Sequence, residues 1–237
     1  KNCAKEPEVE DLANFLNSCG AKIEGAGSSV ITIEGVETLK KTHWEVLFDR
    51  IEAGTYLVAG AITKGKVKIN KIIPEKLKCL IISLEKMGFT IFCSENSIEI
   101  DARTATIKCQ DFSTDPYPGF PTDMQAQLMA LNCIGEGSAL ITEQVFENRF
   151  QHVKELRKMG ANITLEKNSA VIKGVPNLVG SEVTASDLRA SASLVLAGLI
   201  GKNRTKINEI HHIDRGYECI EEKLNKLGAE IIREPLA

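Results

Sequence analysis

The chain has 237 residues, of which 43% are hydrophobic and 26% charged, and its formal net charge is -3. This length and composition indicate a globular chain of one or two domains with a sizeable core. The weak net charge provides no overall field for nucleic acid or an anionic membrane, so an anion site would need a local cluster of cations. No apolar run approaches the roughly 20 residues that a membrane span requires.

The seven cysteines are scattered along the chain, and no pair has C-x-x-C spacing. This pattern argues against a zinc site or a disulfide framework and is typical of a reducing compartment. We therefore predict a cytoplasmic protein without a metal site. The sequence contains neither G-x-G-x-x-G nor G-x-x-x-x-G-K-S/T, and we predict no other cofactor. The sequence begins at Lys1 without Met and without a signal-peptide pattern, and we expect it to start inside a larger protein.

Four amphipathic segments end in the same way, at a glycine that is followed by a short β-like run. Their apolar residues recur at helical spacing, and glycine takes the left-handed conformation after a helix at little steric cost. Successive glycines are about 70 residues apart, which predicts an internal structural repeat. The segments are residues 9–19, 75–87, 151–159 and 217–227, and the glycines are Gly20, Gly88, Gly160 and Gly228.

A second kind of helix precedes the last three of these segments, at residues 51–62, 124–134 and 188–200. These helices are apolar nearly all round and rich in Ala, Gly and Ser, so we expect them to be buried on every side. Each leads into a strand-like run, and two more runs follow each terminal glycine. With a preceding strand the unit becomes βαβαββ, and we predict an inside-out α/β barrel, with the helices buried and the sheets outside.

The domain prediction follows from where the repeat begins. Residues 1–47 hold only the last part of one unit, so we assign them to the end of an N-terminal domain. Residues 48–237 hold three units and form the predicted C-terminal domain, with the boundary near residues 45–48.

Three aspartates stand at the predicted starts of the buried helices: Asp49, Asp123 and Asp187. One interpretation is N-capping, because a carboxylate accepts the free N–H groups of a first helical turn. The other is chemical, since packed parallel helices would bring the carboxylates to one end of the domain. There a carboxylate could act as general base for a hydroxyl nucleophile. One residue can serve both roles.

Four arginines, Arg50, Arg149, Arg189 and Arg215, form the second set of candidates. A solvated surface position is the default for arginine. Arg189 is the exception, because it lies in the first turn of a helix that otherwise buries its faces and needs an anionic partner, either Asp187 or a ligand. Several guanidiniums at converging helix starts would suit a phosphate or a carboxylate.

Four long strings surround these candidates: FPTDMQAQ at 120–127, EQVFENRF at 143–150, ASDLRASASLVLAG at 185–198 and HIDRGYE at 212–218. They resemble the bacterial UDP-N-acetylglucosamine 1-carboxyvinyltransferases, the enolpyruvyl transferases that open peptidoglycan synthesis. The resemblance runs over essentially the whole chain and corresponds to the second half of the family's sequence. The sister family, 5-enolpyruvylshikimate-3-phosphate synthase, shares the architecture but not these strings.

The resemblance implies two inside-out α/β domains with the substrates in the cleft between them. It implies that the sugar 3-hydroxyl adds to C2 of phosphoenolpyruvate, whose methylene is protonated, and that the tetrahedral intermediate then loses phosphate. The implied partners are UDP-N-acetylglucosamine, phosphoenolpyruvate and the family's N-terminal half, which carries the catalytic loop and has no counterpart here. We therefore expect the chain alone to be an incomplete enzyme that binds neither nucleic acid nor a membrane.

The resemblance also implies individual roles. Asp123 matches the aspartate that contacts the sugar hydroxyl and is the leading general base. Val145 matches a position that binds the UDP-sugar, and Arg189 and Arg215 match arginines of the phosphoenolpyruvate and phosphate region. The other candidates for the substrate cleft are Arg149, Asp187 and Asp49.

Two alternatives stay open from the sequence. The chain could belong to an enzyme that transfers the enolpyruvyl group to shikimate 3-phosphate, which a substrate swap would distinguish. It could also be a non-catalytic repeat scaffold that binds a nucleotide-sugar or a protein partner. Binding of UDP-N-acetylglucosamine without turnover, even with the missing half supplied, would favour the scaffold.

Overall fold

A computed structural model describes residues 1–234, in which seven α-helices and eleven β-strands form a mixed α/β architecture. Short 3₁₀ turns at Pro74–Leu77, Thr122–Met124 and Ile210–Arg215 accompany the helices. The helices are α1 (Pro7–Ser18), α2 (Arg50–Ile62), α3 (Lys78–Lys86), α4 (Gln125–Asn132), α5 (Val153–Lys158), α6 (Leu188–Gly198) and α7 (Ile220–Lys226). The strands are β1 (Lys22–Glu24), β2 (Thr32–Glu34), β3 (Lys66–Asn70), β4 (Thr90–Ser94), β5 (Ser97–Asp101), β6 (Phe112–Ser113), β7 (Ser138–Thr142), β8 (Asn162–Glu166), β9 (Ser169–Lys173), β10 (Glu182–Thr184) and β11 (Lys206–Asn208).

Helices α2, α4 and α6 lie at the centre and pack on one another, as predicted from their apolar circumference. Every residue of α4 is buried. Small residues allow this close packing: a Cβ placed on Gly54 of α2 would lie 2.8 Å from a methyl carbon of Leu80 and 3.0 Å from the sulfur of Met124. The buried helices are therefore confirmed, and they put only their ends within reach of a ligand.

The strands form four separate sheets around these helices. Strands β3, β5 and β4 make an antiparallel sheet, and β6, β7, β9 and β8 make a sheet in which only the β6–β7 pair is parallel. The remaining two are the antiparallel pair β1–β2 and the parallel pair β10–β11. Within residues 1–234 these sheets do not close into the predicted barrel. The buried helices are instead surrounded by four separate sheets.

The predicted repeat is complete in its middle unit and reduced in the other two. The order helix, strand, helix, strand, strand occurs from α2 to β5 and again from α4 to β9, and β6 supplies the preceding strand of the second. Residues 35–49 contain no helix or strand, so no preceding strand occurs there before α2. The predicted order of helices and strands is therefore correct, but outside the middle unit the described residues form fewer strands than predicted.

The strand predicted after Gly228 is wrong for residues 229–234, which form no strand. Its backbone is bonded by a side chain instead of a neighbouring strand: Ile231 donates its N–H to Asn225 Oδ1 and accepts from Asn225 Nδ2, both at 2.8 Å. The third unit within the described residues accordingly runs from β10 through α6 and β11 to α7.

The four glycines behind the amphipathic helices all adopt the predicted left-handed conformation. The φ angles of Gly20, Gly88, Gly160 and Gly228 are +99°, +99°, +89° and +103°. An L side chain would strain the backbone there. The first of these helices has the same asparagine contact as the last. Asn17 Nδ2 donates to the Ile23 carbonyl, and Asn17 Oδ1 accepts from the Ile23 N–H, both at 2.8 Å. These shared details support the repeat independently of strand order.

Residues 1–47 form α1 and the β1–β2 hairpin, and both clusters of buried apolar side chains are built from residues between 48 and 231. One contact that joins the two parts is the ion pair between Arg50 and Glu8, at 2.8 Å. No helix in the described part of the chain is long and apolar enough to span a membrane.

Truncation of Leu128 in α4 tests the burial of this helix. Leu128 is 0% exposed, so Leu128→Ala should lower the free energy of unfolding by about 2–5 kcal/mol through lost burial and a cavity. The control Leu12→Ala removes a helical leucine that is 55% exposed and should change stability by about 0.5 kcal/mol or less. Urea denaturation measures both, and equal losses would contradict the buried position of α4.

Candidate active site

The site forms where the starts of α4 and α6 meet the loop that follows β7. Arg189, in the first turn of α6, donates from Nη2 to Asp123 Oδ2 at 2.7 Å. Arg149, from the loop, donates from Nη2 to Asp123 Oδ1 at 2.8 Å. Each carboxylate oxygen is thus bonded to a different guanidinium. The structure brings together three residues that lie far apart in sequence, all of them among the predicted site residues.

The charges of this cluster are partly shielded from water. The Asp123 side chain is 37% exposed, whereas those of Arg149 and Arg189 are 13% and 16% exposed. Burial raises the pKa of Asp123, but the hydrogen bonds and charges of Arg189 and Arg149 outweigh burial and hold that pKa below its ordinary 3.8. Burial would lower the pKa of Arg189, yet its bond to Asp123 raises it above the ordinary value. The cluster therefore carries a net positive charge at neutral pH, which suits an anion.

Asp49 and Asp187 are helix caps, as the first interpretation of the aspartates predicts. Asp49 Oδ1 accepts the first-turn N–H groups of α2 at 2.8 and 2.9 Å, and Asp187 Oδ1 accepts those of α6 at 2.9 and 3.0 Å. Asp123 differs, because it lies inside the 3₁₀ turn before α4 and caps no helix with its side chain. Its carboxylate is available to other groups, which separates it from its two sequence counterparts.

Val145 lies on the loop that carries Arg149, and its side chain is 44% exposed. The loop borders an open groove of about 550 Å³ that Val145, Phe146 and Arg149 help to line. The Arg149 guanidinium lies 4.2 Å from the centre of the Phe146 ring, a cation–π contact. The groove thus adjoins the guanidinium that bonds Asp123, whereas the backbone N–H of Val145 bonds Glu143 instead.

Arg215 ends the 3₁₀ turn at Ile210–Arg215 and is exposed. Among residues 1–234 its side chain makes no hydrogen bond or ion pair of ordinary length. The turn packs against α6, and a Cβ on Gly216 would lie 2.9 Å from Leu188 Cδ2. Arg215 therefore stands near the start of α6 but outside the Asp123 cluster, and its role in binding phosphate stays a prediction.

Sequence reasoning missed a buried polar network beneath the cluster. Tyr217 is 1% exposed, and its hydroxyl lies 2.8 Å from Thr55 Oγ1 of α2 and 3.4 Å from Gln127 Nε2 of α4. Burial raises the pKa of Tyr217, although Thr55 and Arg189 oppose the shift, so the phenol is neutral at physiological pH. One hydroxyl thereby links the first, second and third units close to Arg189.

Sequence reasoning also missed Glu143, which follows β7 and is 5% exposed. Its Oε2 accepts from the Thr122 hydroxyl at 2.9 Å, and the same hydroxyl oxygen accepts from Arg149 Nε at 3.1 Å. The only available signal was the acid in the string EQVFENRF, because a single sequence does not show that its carboxylate turns inward.

The chain has buried helices beneath outer sheets, and its cations gather at the helix starts. These features define a protein of the inside-out α/β class. The model of the EPSP synthase (3-phosphoshikimate 1-carboxyvinyltransferase) family matches residues 1–224. The chain therefore belongs to this family. The enolpyruvyl transferase NikO from Streptomyces tendae has a similar structure, with a TM-score of 0.85 and 29% identity over 95% of this chain and 54% of that one. The predicted enolpyruvyl transferase fold is confirmed.

Relatives within the family are more specific. The UDP-N-acetylglucosamine 1-carboxyvinyltransferase of Coxiella burnetii is 54% identical over 232 residues, which are 98% of this chain and 54% of that protein. The enzyme of the same name from Hydrogenovibrio crunogenus is 52% identical over 98% of this chain and 56% of its own length. The resemblance to this group is confirmed. The chain spans about half the length of the curated relatives it matches.

The sister enzyme gives a weaker match. EPSP synthase from Acinetobacter baumannii has a TM-score of 0.71 and 20% identity over 92% of this chain. This likeness shows the shared fold alone.

The ion pairs of Asp123 predict a pH-dependent contribution to stability. Because the folded-state pKa of Asp123 is depressed, its ionised form stabilises the fold above the ordinary pKa, and this contribution is lost as the pH falls through the folded-state pKa. Asp123→Asn should therefore lower the free energy of unfolding at pH 7, and its difference from wild type should shrink below about pH 4. Urea denaturation across this range measures the difference.

The matched control is Asp115→Asn, since Asp115 is exposed and forms no ion pair among the described residues. It should leave stability nearly unchanged at pH 7. A difference between wild type and Asp123→Asn that does not vary with pH would contradict the ion pairs.

Removal of two tyrosine hydroxyls tests the buried network. Tyr217→Phe leaves Thr55 and Gln127 without their shared partner and should cost about 1–2 kcal/mol of unfolding free energy. The hydroxyl of Tyr56 is also buried but has no hydrogen-bond partner among the described residues, so Tyr56→Phe should be neutral or stabilising. Thermal and urea unfolding measure both variants, and equal losses would argue against the network.

Proposed function

We propose that the chain supplies one wall of an enzyme that transfers the enolpyruvyl group of phosphoenolpyruvate to the 3-hydroxyl of UDP-N-acetylglucosamine and releases phosphate. This is the first committed step of peptidoglycan synthesis. The observation that carries the proposal is the Asp123 carboxylate held between Arg149 and Arg189 at a helix start. The relatives of 52–54% identity that bear this enzyme's name support the choice of substrates.

In the proposed reaction, Asp123 accepts the proton of the sugar hydroxyl as the hydroxyl oxygen bonds to C2 of phosphoenolpyruvate. The methylene carbon gains a proton from an acid on the other half of the enzyme. The bond from C2 to the phosphate oxygen then breaks and phosphate leaves, while the methyl group returns a proton to the same, now deprotonated, acid and the double bond is restored. The guanidiniums of Arg189 and Arg215 stabilise the phosphate charge during these steps.

The ion pairs of Asp123 set a condition on this role. A carboxylate whose pKa is held below its ordinary value, and whose two oxygens are both bonded, is a weak base. An anionic substrate would compete for Arg149 or Arg189, free an oxygen of Asp123 and neutralise part of the charge that depresses its pKa. We infer that Asp123 becomes an effective base only when the anion is bound.

Other predicted residues have supporting positions. Val145 and Arg149 border the groove in which we propose that the UDP-sugar binds. The carboxylates of Asp49 and Asp187 are engaged in caps, so they hold the helix starts in place, and direct contact with substrate stays a prediction for both.

We propose the domain division made from the sequence, with residues 1–47 ending an N-terminal domain and residues 48–237 forming a C-terminal one, of which the last three lie outside the described residues. The apolar clusters that begin at Phe48 support this boundary. Since the relatives are nearly twice as long as the matched region, we propose that the site is complete only together with their other half. A cytoplasmic location stays a prediction.

The experiment measures phosphate release from phosphoenolpyruvate by the chain alone and by the chain joined to the N-terminal half of the Coxiella burnetii relative. Joining the halves in one polypeptide prevents failed association from hiding activity. We expect phosphate release only from the joined protein and only with UDP-N-acetylglucosamine, not with shikimate 3-phosphate. In the joined protein, Asp123→Asn should lower kcat by about 10²–10⁴-fold because it removes the base.

Each contrary outcome identifies the failing step. Activity of the chain alone would place a complete site within it and overturn the half-site proposal. Turnover of shikimate 3-phosphate would reassign the substrate. Binding of UDP-N-acetylglucosamine by the joined protein without turnover would favour the non-catalytic scaffold, and near wild-type kcat for Asp123→Asn would remove Asp123 as the base.

A further inference from the structure

The loop of residues 144–149 carries both Val145 and Arg149, and a single buried carboxylate fixes its beginning. Glu143 Oε1 accepts from the backbone N–H groups of Val145 and Phe146 at 3.0 and 2.9 Å. The Thr114 hydroxyl donates to the same oxygen at 2.7 Å, and the Thr122 hydroxyl donates to Oε2 at 2.9 Å. The carboxylate is thus bonded to four donors.

No cation pairs with Glu143 among residues 1–234, although its side chain is nearly inaccessible to water. A buried carboxylate is expensive unless hydrogen bonds replace its hydration, and bonds to an ionised acceptor are about twice as strong as neutral ones. The four donors therefore have to be held in place for the charge to be tolerated. In return, the charge orders the groups that carry those donors.

These groups belong to two parts of the site. The N–H groups of Val145 and Phe146 lie at the beginning of the loop that lines the groove. Thr122 is the neighbour of Asp123 in the 3₁₀ turn. Thr122 also accepts from Arg149 Nε at 3.1 Å, while Arg149 Nη2 bonds Asp123. Glu143 consequently connects the start of the loop, the turn that carries Asp123 and, through Thr122, the end of the loop.

We propose that Glu143 is a positioning residue, which holds the 144–149 loop and its groove in register with Asp123 without touching substrate. The proposal rests on the proposed function for what the groove binds, but the ordering of the loop is a property of this chain alone. Two separate measurements follow from this distinction.

The first measurement is hydrogen exchange of the Val145 and Phe146 amides by NMR in the chain alone. Glu143→Gln conserves shape but replaces an acceptor oxygen by an NH₂ group, so at least one of the four donors loses its partner. We expect exchange at these two amides to become about tenfold faster. The control is Glu147→Gln in the same loop, because Glu147 is exposed and bonds no described residue through its side chain. It should leave both amides unchanged.

The second measurement is steady-state kinetics of the joined protein. Glu143→Gln should raise the KM for UDP-N-acetylglucosamine about tenfold and change the KM for phosphoenolpyruvate less than about threefold, because the loop lines the groove, whereas Arg189 and Arg215, to which we assign the phosphate, do not line it. A residue that only stabilises the fold would lower the melting temperature and leave both KM values unchanged.

Unchanged exchange at Val145 and Phe146, or a loss of thermal stability with both KM values at wild-type level, would overturn the positioning role. If Glu143→Gln does not fold, Thr114→Val replaces it, since this variant removes one donor to the same oxygen and should give a smaller increase in exchange at the same amides. A joined protein that fails to turn over UDP-N-acetylglucosamine would contradict the proposed function, whereas the exchange result would still decide whether Glu143 orders the loop.

Discussion

The shared carboxylate of Asp123 is the interaction on which the site depends. Two guanidiniums from different parts of the chain bond its two oxygens at 2.7 and 2.8 Å. Arg189 and Arg149 are largely shielded from water, so each requires a counter-charge, and one carboxylate serves both. The two guanidiniums and the one carboxylate that bonds them carry a net positive charge at the start of a buried helix. The anion binding that we propose and the depressed pKa of Asp123 would therefore have the same cause.

The inside-out fold explains why these charges meet at the helix starts. Because α4 is buried on every side, its flanks cannot carry ionised groups, and polar chemistry is confined to its ends. Asp49 and Asp187 neutralise the first-turn N–H groups of α2 and α6, which fixes where those helices begin. The Tyr217 hydroxyl links α2 and α4 because it bonds both Thr55 and Gln127. Helix packing thus sets the spacing of the charged groups.

Local pattern predicted the helices, the terminal glycines and the buried core, because hydrophobic period and left-handed glycines depend on neighbouring residues. Pattern failed where a distant partner decides the outcome. The sequence left Asp123 open as a cap or a site carboxylate and offered Asp187 or a ligand as the partner of Arg189, yet the distant Asp123 bonds both Arg189 and Arg149. Residues 229–231 have a strand-like composition, but the Asn225 side chain takes the backbone groups of Ile231. Glu143 likewise depends on hydroxyls that no local pattern could place beside it.

The same arrangement relates base strength to substrate binding. The guanidiniums of Arg149 and Arg189 hold the pKa of Asp123 below its ordinary value, so the carboxylate is a weak base beside two cations that suit an anion. In the proposed reaction, an anion that bonds one guanidinium takes a hydrogen bond away from Asp123 and offsets that cation's charge, which raises the pKa of the carboxyl. The positioning role that we propose for Glu143 bears on this exchange, because Glu143 bonds Thr122 and Thr122 bonds Arg149, so both neighbours of Asp123 are tied to one buried carboxylate.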